Sequence, residues 1–539
     1  MKRAKRATDQ PVPLLKPYSG AGMPDLHRWL VIGIAALAAL ICLPYGFYYA
    51  LLTPWLLVPL VVPILMLAAV TIWALPDLSS FPDRTMECML FVLFAALVAW
   101  PNYLALTFPG LPWITVTRLV GTPMVVLLLI SFSGSAAFRT ELSAVLKNSP
   151  AVWRCVAIFT ILQGVSIVFA AQVGVAISQF VVHITNETAA FFLCAYLFRR
   201  PGRAELWGSL FWLFAIFAGL IGIEEFRLEK VIWAGHVPSF LLPRDEVVAH
   251  ILQGSTRATT GDYRAQSVYS TSLGLSEMMA LAIPFPLHFM MQPRYNVFVR
   301  LAGAASIPFM VIVILDSGSR LGLLGFFLGT MLYLAVWAFR MRRKNPSSLV
   351  ATAVIVAYPV LFSAFIVASL TIGRIKARVW GMGQYDDSNQ ARIDQWNLGI
   401  PKILTHPLGY GPGQGAPALG YHNLGGTLTI DSYYLSVAMD YGLVGLVAFI
   451  AVFGVGAFQG GRHAIALSEE DPDVAFLLPL TVALISFMAM KSFFAQDDNN
   501  AIAFMMVGTM VGLIHRMRSR NAAAEGKLKT VADRRLLAA

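Results

Sequence analysis

Runs of predominantly apolar residues recur along almost the whole chain, and they constrain its fold more than any other feature. A helix needs about 20 such residues to cross the hydrocarbon core of a bilayer. Hydrophobic residues make up 57% of this chain and charged residues 13%, whereas soluble domains carry roughly 25% charged residues. One water-bounded core cannot bury so much apolar surface, so lipid must serve as the solvent. The sequence therefore predicts an all-α polytopic membrane protein.

About fourteen of these runs have the length of a spanning helix. Some pairs are barely separated, and the second run contains several prolines, so we predict about 12–14 transmembrane helices. The runs lie near residues 29–49, 51–75, 86–107, 112–132, 152–172, 174–198, 204–225, 270–291, 301–316, 321–339, 349–370, 432–457, 474–490 and 500–515.

Lysine and arginine collect in short clusters between the runs, and their positions predict the orientation. Counting spans from a cytoplasmic N-terminus places every cluster on the cytoplasmic side, as the positive-inside rule requires. The net charge of +11 thus reflects membrane topology, and nucleic acid is not expected as a partner. Both termini are predicted inside. The clusters are Lys2–Lys16, Arg199–Arg203, Arg294 with Arg300, Arg340–Lys344 and Arg516–Arg520.

The same count divides the chain into seven segments. Two long polar connections face outward, and long irregular loops in compact proteins are often functional. We expect short amphipathic or re-entrant segments within the second of them. The segments are a basic cytoplasmic tail (1–28), N-terminal spans (29–225), an outer loop (226–269), further spans (270–370), a large outer loop (371–431), C-terminal spans (432–515) and a cytoplasmic tail (516–539).

The four cysteines all fall inside apolar runs, and no CxxC spacing or His/Cys cluster is present. Neither a disulfide framework nor a thiolate metal site is therefore predicted. His406 and His422 lack a second ligand at metal-binding spacing and are interpreted as loop histidines. We expect no metal and no other cofactor. The cysteines are Cys42, Cys88, Cys155 and Cys194.

Arg320 is the strongest candidate for a functional residue. The sequence Asp316-Ser317-Gly318-Ser319-Arg320 joins two predicted spans with almost no loop, on the face where the positive-inside bias disfavours arginine. Charge at this depth is rare and usually functional, although an interfacial anchor whose guanidinium reaches water would also explain it. We favour function, with Asp316 orienting the guanidinium.

Arg264 and Arg392 lie in the outer loops and would be unremarkable singly. A guanidinium offers a rigid fork of donors that suits phosphate oxygens. Several arginines on one side, without a metal cluster, would suit a pyrophosphate-bearing lipid. The run Gly409 to Gly415 lacks the ending of a P-loop and predicts a tight turn whose amides could contribute to the site. Asp431 is interpreted either as a helix N-cap or as a catalytic carboxylate.

The segment from about residue 264 to residue 445 resembles the O-antigen ligase and polysaccharide polymerase superfamily of bacterial envelopes. That family's pattern is His, then Asn, Ser or Gln, nine residues, Gly, two residues and Gly. Ser432, Gly442 and Gly445 match it in spacing, while Asp431 stands at the histidine position.

Two further elements carry the resemblance. Ser319-Arg320 with Leu324 is similar to the family's arginine-three-residues-leucine element, and Arg392 with the run His406–Gly411 is similar to its outer-loop signature. The N-terminal spans match only in general character.

The resemblance implies glycosyl transfer at the periplasmic face of the bacterial inner membrane, so the outer loops would be periplasmic. The donor would be an oligosaccharide on undecaprenyl diphosphate and the acceptor a glycan, with a chain-length regulator and a flippase as further partners. Arg320 and Arg392, with Arg264, would bind the diphosphate leaving group, and Asp431 would act as the acid–base residue. Substrate-binding roles would extend to Ser319, His406, Tyr410 and Ser432.

Aspartate in place of histidine favours the polymerase branch over ligases that act on lipid A-core. We therefore predict a polysaccharide polymerase, metal-independent, that transfers lipid-diphosphate-linked glycan to an acceptor sugar hydroxyl. An O-antigen ligase or a protein-glycan ligase is the alternative. A lipid-linked glycan transporter is a second alternative, which would need charges within the spans, for which Glu277 and Arg154 are candidates.

Overall fold

The computed structural model describes residues 81–107, 113–243, 245–256, 261–373, 386–422, 428–466, 471–493 and 495–538, with a few isolated positions elsewhere. Almost all of the predicted spans 29–49 and 51–75 lies outside the described residues. The described part is built from helices and two very short hairpins. This confirms the predicted all-α fold class.

Eighteen helices, numbered α1 to α18, make up this part of the chain. The first eight are α1 (Asp83–Ala99), α2 (Val116–Gly134), α3 (Ala136–Lys147), α4 (Pro150–Ser166), α5 (Val173–His183), α6 (Ala190–Leu197), α7 (Arg203–Leu228) and α8 (Glu246–Gln253). The others are α9 (Ser272–Ala282), α10 (Pro284–Met291), α11 (Val297–Asp316), α12 (Arg320–Lys344), α13 (Leu349–Thr371), α14 (Asp386–Thr405), α15 (Gly415–Leu419), α16 (Tyr433–Ala466), α17 (Leu477–Lys491) and α18 (Asn500–Ala538).

Shorter elements connect these helices. A π-helical segment, Ile184–Ala189, joins α5 to α6, so the two form one continuous span. Each hairpin is a pair of antiparallel two-residue strands, and β4 belongs to the first predicted outer loop. The strands are β1 (Ala105–Leu106) with β2 (Ile114–Thr115) and β3 (Ser255–Thr256) with β4 (Tyr263–Arg264); the 3-10 turns are Ile167–Phe169, Ser239–Leu241 and Val474–Phe476.

Ten helices of the described part are long and apolar enough to cross a membrane, which confirms a polytopic membrane protein. One predicted run gave a shorter helix: the run 86–107 contains α1, which ends at Ala99 before the chain turns into β1. The predicted run 349–370 corresponds to α13, which spans Leu349–Thr371. The ten spans are Val116–Gly134, Pro150–Phe169, Val173–Leu197, Arg203–Leu228, Ser272–Met291, Val297–Asp316, Arg320–Lys344, Tyr433–Ile465, Val474–Lys491 and Asn500–Ala523.

The spans differ in how far they are enclosed by other helices. The span Ser272–Met291 is 89% buried, and the spans formed by α17 and α18 are each 83% buried, whereas α2, α4 and α11 are 28% buried. A helix that is apolar on all sides belongs in the interior, and one that leaves apolar residues uncovered faces lipid. α9, α10, α17 and α18 therefore form the core of the bundle.

Ion pairs gather several helix ends on one face of the bundle. Arg200 pairs with Asp83, and Arg516 pairs with Asp471 at 2.8 Å and with Asp473 at 3.2 Å. Arg294 donates to the carbonyl of Pro472 at 3.1 Å. Three of the predicted basic clusters thus meet on what we call the arginine face, formed by Arg199–Arg203, Arg294, Asp471–Asp473 and Arg516–Arg520.

The opposite helix ends form a second face. The amide of Ala265 donates to the carbonyl of Asp316 at 3.1 Å, and the hydroxyl of Ser270 donates to Asp498 Oδ2 at 3.0 Å. The amide nitrogen of Asn500 donates to the hydroxyl of Tyr433. We call this the site face, formed by residues 264–270, 316–320, 431–433 and 497–500. The compartment that each face meets stays a prediction.

Candidate functional site

Arg320 is placed by a tight turn between two spans. α11 ends at Asp316, and Gly318 has a positive φ of 63°, which glycine adopts without strain. Ser319 is the N-cap of α12, and its hydroxyl accepts the amide of Gly322 at 3.1 Å. Arg320 is therefore the first residue of a helix, where the dipole favours an anion. The predicted substrate-binding hydroxyl of Ser319 is engaged in the cap.

Arg264 is attached to the same turn. Its guanidinium Nε donates to the carbonyl oxygen of Ser317 at 3.0 Å, and the amide of Ala265 bonds to the carbonyl of Asp316. Both Arg264 and Arg320 are partly buried. Two of the predicted arginines, far apart in sequence, are thus brought together at the site face.

Arg392 and Asp431 form a second group. The backbone amide of Asp431 donates to Gln395 Oε1 at 2.8 Å, and Gln395 is almost fully buried on α14. Arg392 lies one turn before Gln395 on the same helix, so the two share a face. Burial lowers the pKa of the Arg392 guanidinium, and the nearby charge of Asp431 opposes this shift. The predicted base and one predicted phosphate-binding arginine are therefore neighbours.

The structure bears on the two interpretations of Asp431. α16 begins at Tyr433, and the amide of Ser436 donates to the carbonyl of Ser432 at 3.0 Å. Ser432 therefore occupies the cap position, and Asp431 precedes it. The Ser432 side chain is 1% exposed, and its hydroxyl has no hydrogen-bond partner among the described residues. This geometry leaves the carboxylate of Asp431 available for another role.

Two residues connect the group of Arg264 and Arg320 with the group of Arg392 and Asp431. Asp498 accepts from Ser270, which follows Arg264 in the same connection, and Asn500 donates to Tyr433 beside Asp431. The short connection between α17 and α18 thus lies between the two groups on the site face. Burial and the neighbouring Asp497 raise the pKa of the Asp498 carboxyl to about 7.

The glycine-rich run has a role that the sequence did not reveal. α16 is interrupted at Gly442, where φ is 71° and ψ is −177°. The break removes the usual partners of carbonyls one turn earlier. The amide of Tyr410 instead donates to the carbonyl of Met439 at 2.9 Å, and that of Gly411 donates to the carbonyl of Asp440 at 2.9 Å. The run therefore completes the hydrogen bonding of a broken span, which buried backbone requires.

The same run binds the side chain of Asp440. Its carboxylate accepts the amides of Gly413 at 3.2 Å and Gly415 at 2.6 Å. We predicted a tight turn with amides that could contribute to the substrate site. These amides are instead committed to Asp440, because a carboxylate in this position would otherwise be buried without donors.

His406 and Tyr410 lie at the start of this run and contact each other. His406 Nδ1 lies 2.8 Å from the hydroxyl of Tyr410, and the two ring centroids are 4.3 Å apart. His422 forms an isolated bridge with Leu428. Cys88 and the other two described cysteines are free thiols, and no group of His, Cys, Asp and Glu within the described ranges could hold a metal ion.

A buried ion pair between Lys491 and Glu277 was also not predicted from the sequence. Lys491 lies 3.1 Å from Glu277, both side chains are fully buried, and Asn499 donates to Glu277 at 3.0 Å. Glu277 was a candidate charge for the transporter alternative. Its ion pair with Lys491 accounts for a carboxylate at this depth without a role in transport. Arg154, the other candidate, lies exposed in the first turns of α4. The available signal was a lysine that closes an apolar run, but nothing in the sequence points to a partner so distant.

Residues 305–450 match the family model described as O-Antigen ligase. The match includes Arg320, Arg392 and the pattern from Asp431 to Gly445, and it confirms the predicted resemblance to the O-antigen ligase and polymerase superfamily. The match supports an enzyme of polysaccharide biosynthesis in a membrane, of the ligase or polymerase type. Arg264 and Asp498 lie outside the matched segment. A comparison with curated proteins finds no match to the chain.

Proposed function

We propose that this protein is a polysaccharide polymerase of the bacterial inner membrane. It transfers a glycan from undecaprenyl diphosphate to a sugar hydroxyl of an acceptor glycan at the periplasmic face. The observation that carries the proposal is that Arg264 lies beside the Arg320 turn on the site face and that Arg392 lies beside Asp431, a residue of the same face. The family match supports the same class of reaction.

The proposed step is a displacement at the anomeric carbon of the donor sugar. The acceptor hydroxyl oxygen forms a bond to that carbon, and the bond from the carbon to the diphosphate oxygen breaks. Negative charge then develops on the leaving lipid diphosphate, where Arg264, Arg320 and Arg392 stabilise it. The acceptor proton passes to the carboxylate of Asp431, which acts as the general base. The chain's own cations take the role that a metal ion plays in other transferases.

The choice of polymerase over ligase rests on the aspartate at position 431. A ligase that joins finished glycan to lipid A-core or to a protein would use the same arginines and differ only in its acceptor. A flippase that delivers the donor and a regulator of chain length are the further partners of the proposed polymerase.

Cells that lack the protein provide the test. A polymerase predicts that single repeat units accumulate on the lipid carrier, and re-expression of the natural chain should restore polymer. Long chains that are not attached to their final acceptor would identify a ligase instead. Normal polymer together with normal lipid-linked pools would contradict both.

A further inference from the structure

A cavity of about 200 Å³ lies at the site face, where Ser270 and Asp498 form part of its lining. It opens where α1 ends, beside the segment that leads into α9 and the connection before α18. Its volume is below the roughly 300–1,000 Å³ of pockets for drug-sized ligands, so it is suited to one small ring. The residues that matter for its chemistry are Asn102, Tyr103, Tyr269, Ser270 and Asp498.

The first outer loop holds one wall of the cavity in place. The indole of Trp233 donates to the hydroxyl of Tyr103 at 3.0 Å, and Tyr103 packs with Val248 of α8 in a small apolar cluster. Ser270 and Asp498 are fixed on the other side by their mutual hydrogen bond of 3.0 Å. The lining is therefore preformed, as binding sites for small ligands usually are.

Two buried polar atoms of the lining lack partners. Tyr269 is 3% exposed, and its hydroxyl makes no hydrogen bond among the described residues; the same holds for Asn102 Oδ1. A buried polar group without a partner costs about 1–3 kcal/mol, so such groups call for an explanation. Hydroxyl groups of a ligand in the cavity would supply the missing bonds.

The combination of groups points to the class of ligand. Two tyrosine rings offer apolar surface for the carbon-bound hydrogens of a sugar ring, while an amide, a hydroxyl and a carboxyl offer donors and acceptors to its hydroxyls. No arginine or lysine is among the described residues that line the cavity, so this lining is not suited to phosphate. A neutral, hydroxyl-rich ring fits this lining better than an anion does.

The position of the cavity links it to the proposed site. Ser270 belongs to the connection that begins at Arg264, and Asp498 is close in sequence to Asn500, which binds Tyr433 beside Asp431. A ligand there would lie between the two arginine-bearing groups.

We propose that this cavity binds one sugar residue of the glycan substrate, held by Tyr103, Tyr269 and Asp498. The inference rests on the proposed function, because it names a sugar subsite within the same site face. It adds a specificity determinant outside the segment that matches the O-antigen ligase family. The cavity positions the glycan, while the arginines bind its diphosphate.

The test uses a saccharide without diphosphate. The oligosaccharide is released by mild acid from the lipid-linked repeat units of the producing cells and titrated into the full-length protein in lipid nanodiscs. Binding is followed by saturation-transfer NMR. Tyr269→Phe removes only the hydroxyl, Asp498→Asn removes the carboxylate, and Tyr358→Phe on α13 is the matched control.

We expect binding to the natural chain and roughly tenfold weaker binding to Tyr269→Phe and Asp498→Asn, as the loss of a hydrogen bond predicts. Tyr358→Phe and Arg320→Ala should bind within twofold of the natural chain. Equal binding by all variants, or none by the natural chain, would overturn the cavity proposal. Melting temperatures check folding, and removal of an unpartnered hydroxyl should not lower them.

The two proposals can fail separately. If Arg320→Ala abolishes polymer in cells while Tyr269→Phe leaves saccharide binding unchanged, the result supports the proposed function and contradicts the sugar subsite. If Arg320→Ala makes normal polymer while binding depends on Tyr269, the chain has a sugar site but not the proposed transferase site.

Discussion

Arg320 combines two sources of positive potential. It begins α12, whose first turn presents the positive end of the helix dipole, and Arg264 is bonded to the turn that precedes it. A diphosphate bound there would meet two guanidinium groups and a helix terminus. Both arginines are partly buried, and reduced contact with water strengthens each of these interactions.

Replacement of Arg320 by alanine should remove polymer formation without affecting the amount of protein in the membrane. Arg320→Lys should retain partial activity, because lysine supplies the charge but not the planar fork. Gel analysis of polymer from cells that express each variant is the measurement. Arg300→Ala, on an exposed arginine that bonds to the carbonyl of Met290, is the matched control. Polymer of normal length and amount from Arg320→Ala would exclude this residue from the site.

Asp431→Asn separates the chemical role of this residue from its structural role. The contact with Gln395 uses the backbone amide of Asp431, so it survives the change. Loss of a general base costs about 10²–10⁴-fold in rate. We therefore expect Asp431→Asn to lower the rate of polymer formation by about 10²–10⁴-fold. An unchanged rate would show that another group accepts the proton.

At this scale, residue type and spacing predicted the candidates but not their partners. The sequence identified Arg320 because the positive-inside rule disfavours arginine at the outer membrane boundary, and Arg264 and Arg392 because a guanidinium suits phosphate oxygens. It could not pair Glu277 with Lys491, or Ser270 with Asp498, since those contacts join parts of the chain that are distant in sequence. Such pairings depend on how the helices pack, and hydropathy carries no information about that.

Among the elements, α16 departs most from a regular helix. Its apolar composition continues through Gly442, so the sequence predicted one uninterrupted span from residue 432. Glycine is sterically required at the interruption, because a Cβ on Gly442 would lie 1.9 Å from the carbonyl oxygen of Pro407. The run from Pro407 to Gly415 and the break in α16 form a single unit, which supports the segment that begins beside Asp431.

Gly442→Ala should destabilise the protein. The clash with Pro407 adds to the strain of a conformation that is essentially restricted to glycine, about 1–3 kcal/mol. Gly454→Ala lies in the same helix and is the control, because its Cβ would only touch Met488 at 3.6 Å. The thermal unfolding of both variants in detergent is the measurement. A melting temperature for Gly442→Ala equal to that of Gly454→Ala would contradict the proposed packing of the run against the break.

Predicted helix positions were most reliable where an apolar run has polar residues at both ends. α7, predicted at 204–225, spans Arg203–Leu228, and α12, predicted at 321–339, spans Arg320–Lys344. The prediction failed for the run 86–107, because its last residues are apolar yet form a turn and a strand. Apolar residues in a turn that packs under a loop look the same in sequence as the end of a span.

For the molecule as a whole, the two faces differ in the role of their charged residues. The arginine face is tied together by ion pairs such as Arg516 with Asp471, where burial raises the pKa of Asp471 but bonds from Arg516 and Arg520 lower it further. The site face carries arginines beside candidate catalytic groups. This separation fits the proposed function, in which the enzyme acts on substrate at one face of the membrane.

The topology can be tested by cysteine labelling in a cysteine-free background. Glu246→Cys on α8 should react with a membrane-impermeant maleimide in intact spheroplasts, because it lies in the first predicted outer loop. Lys344→Cys should react only after the membrane is opened, because it belongs to a predicted cytoplasmic cluster. Labelling of both positions from the same side would overturn the predicted orientation.

The most direct measurement is transfer by the purified protein in nanodiscs that contain lipid-diphosphate-linked repeat units as donor and acceptor. We expect longer lipid-linked glycan and one released lipid diphosphate for each bond formed, with both products lost in Arg320→Ala. No released diphosphate and no longer glycan from a correctly folded natural chain would contradict glycosyl transfer at the site face.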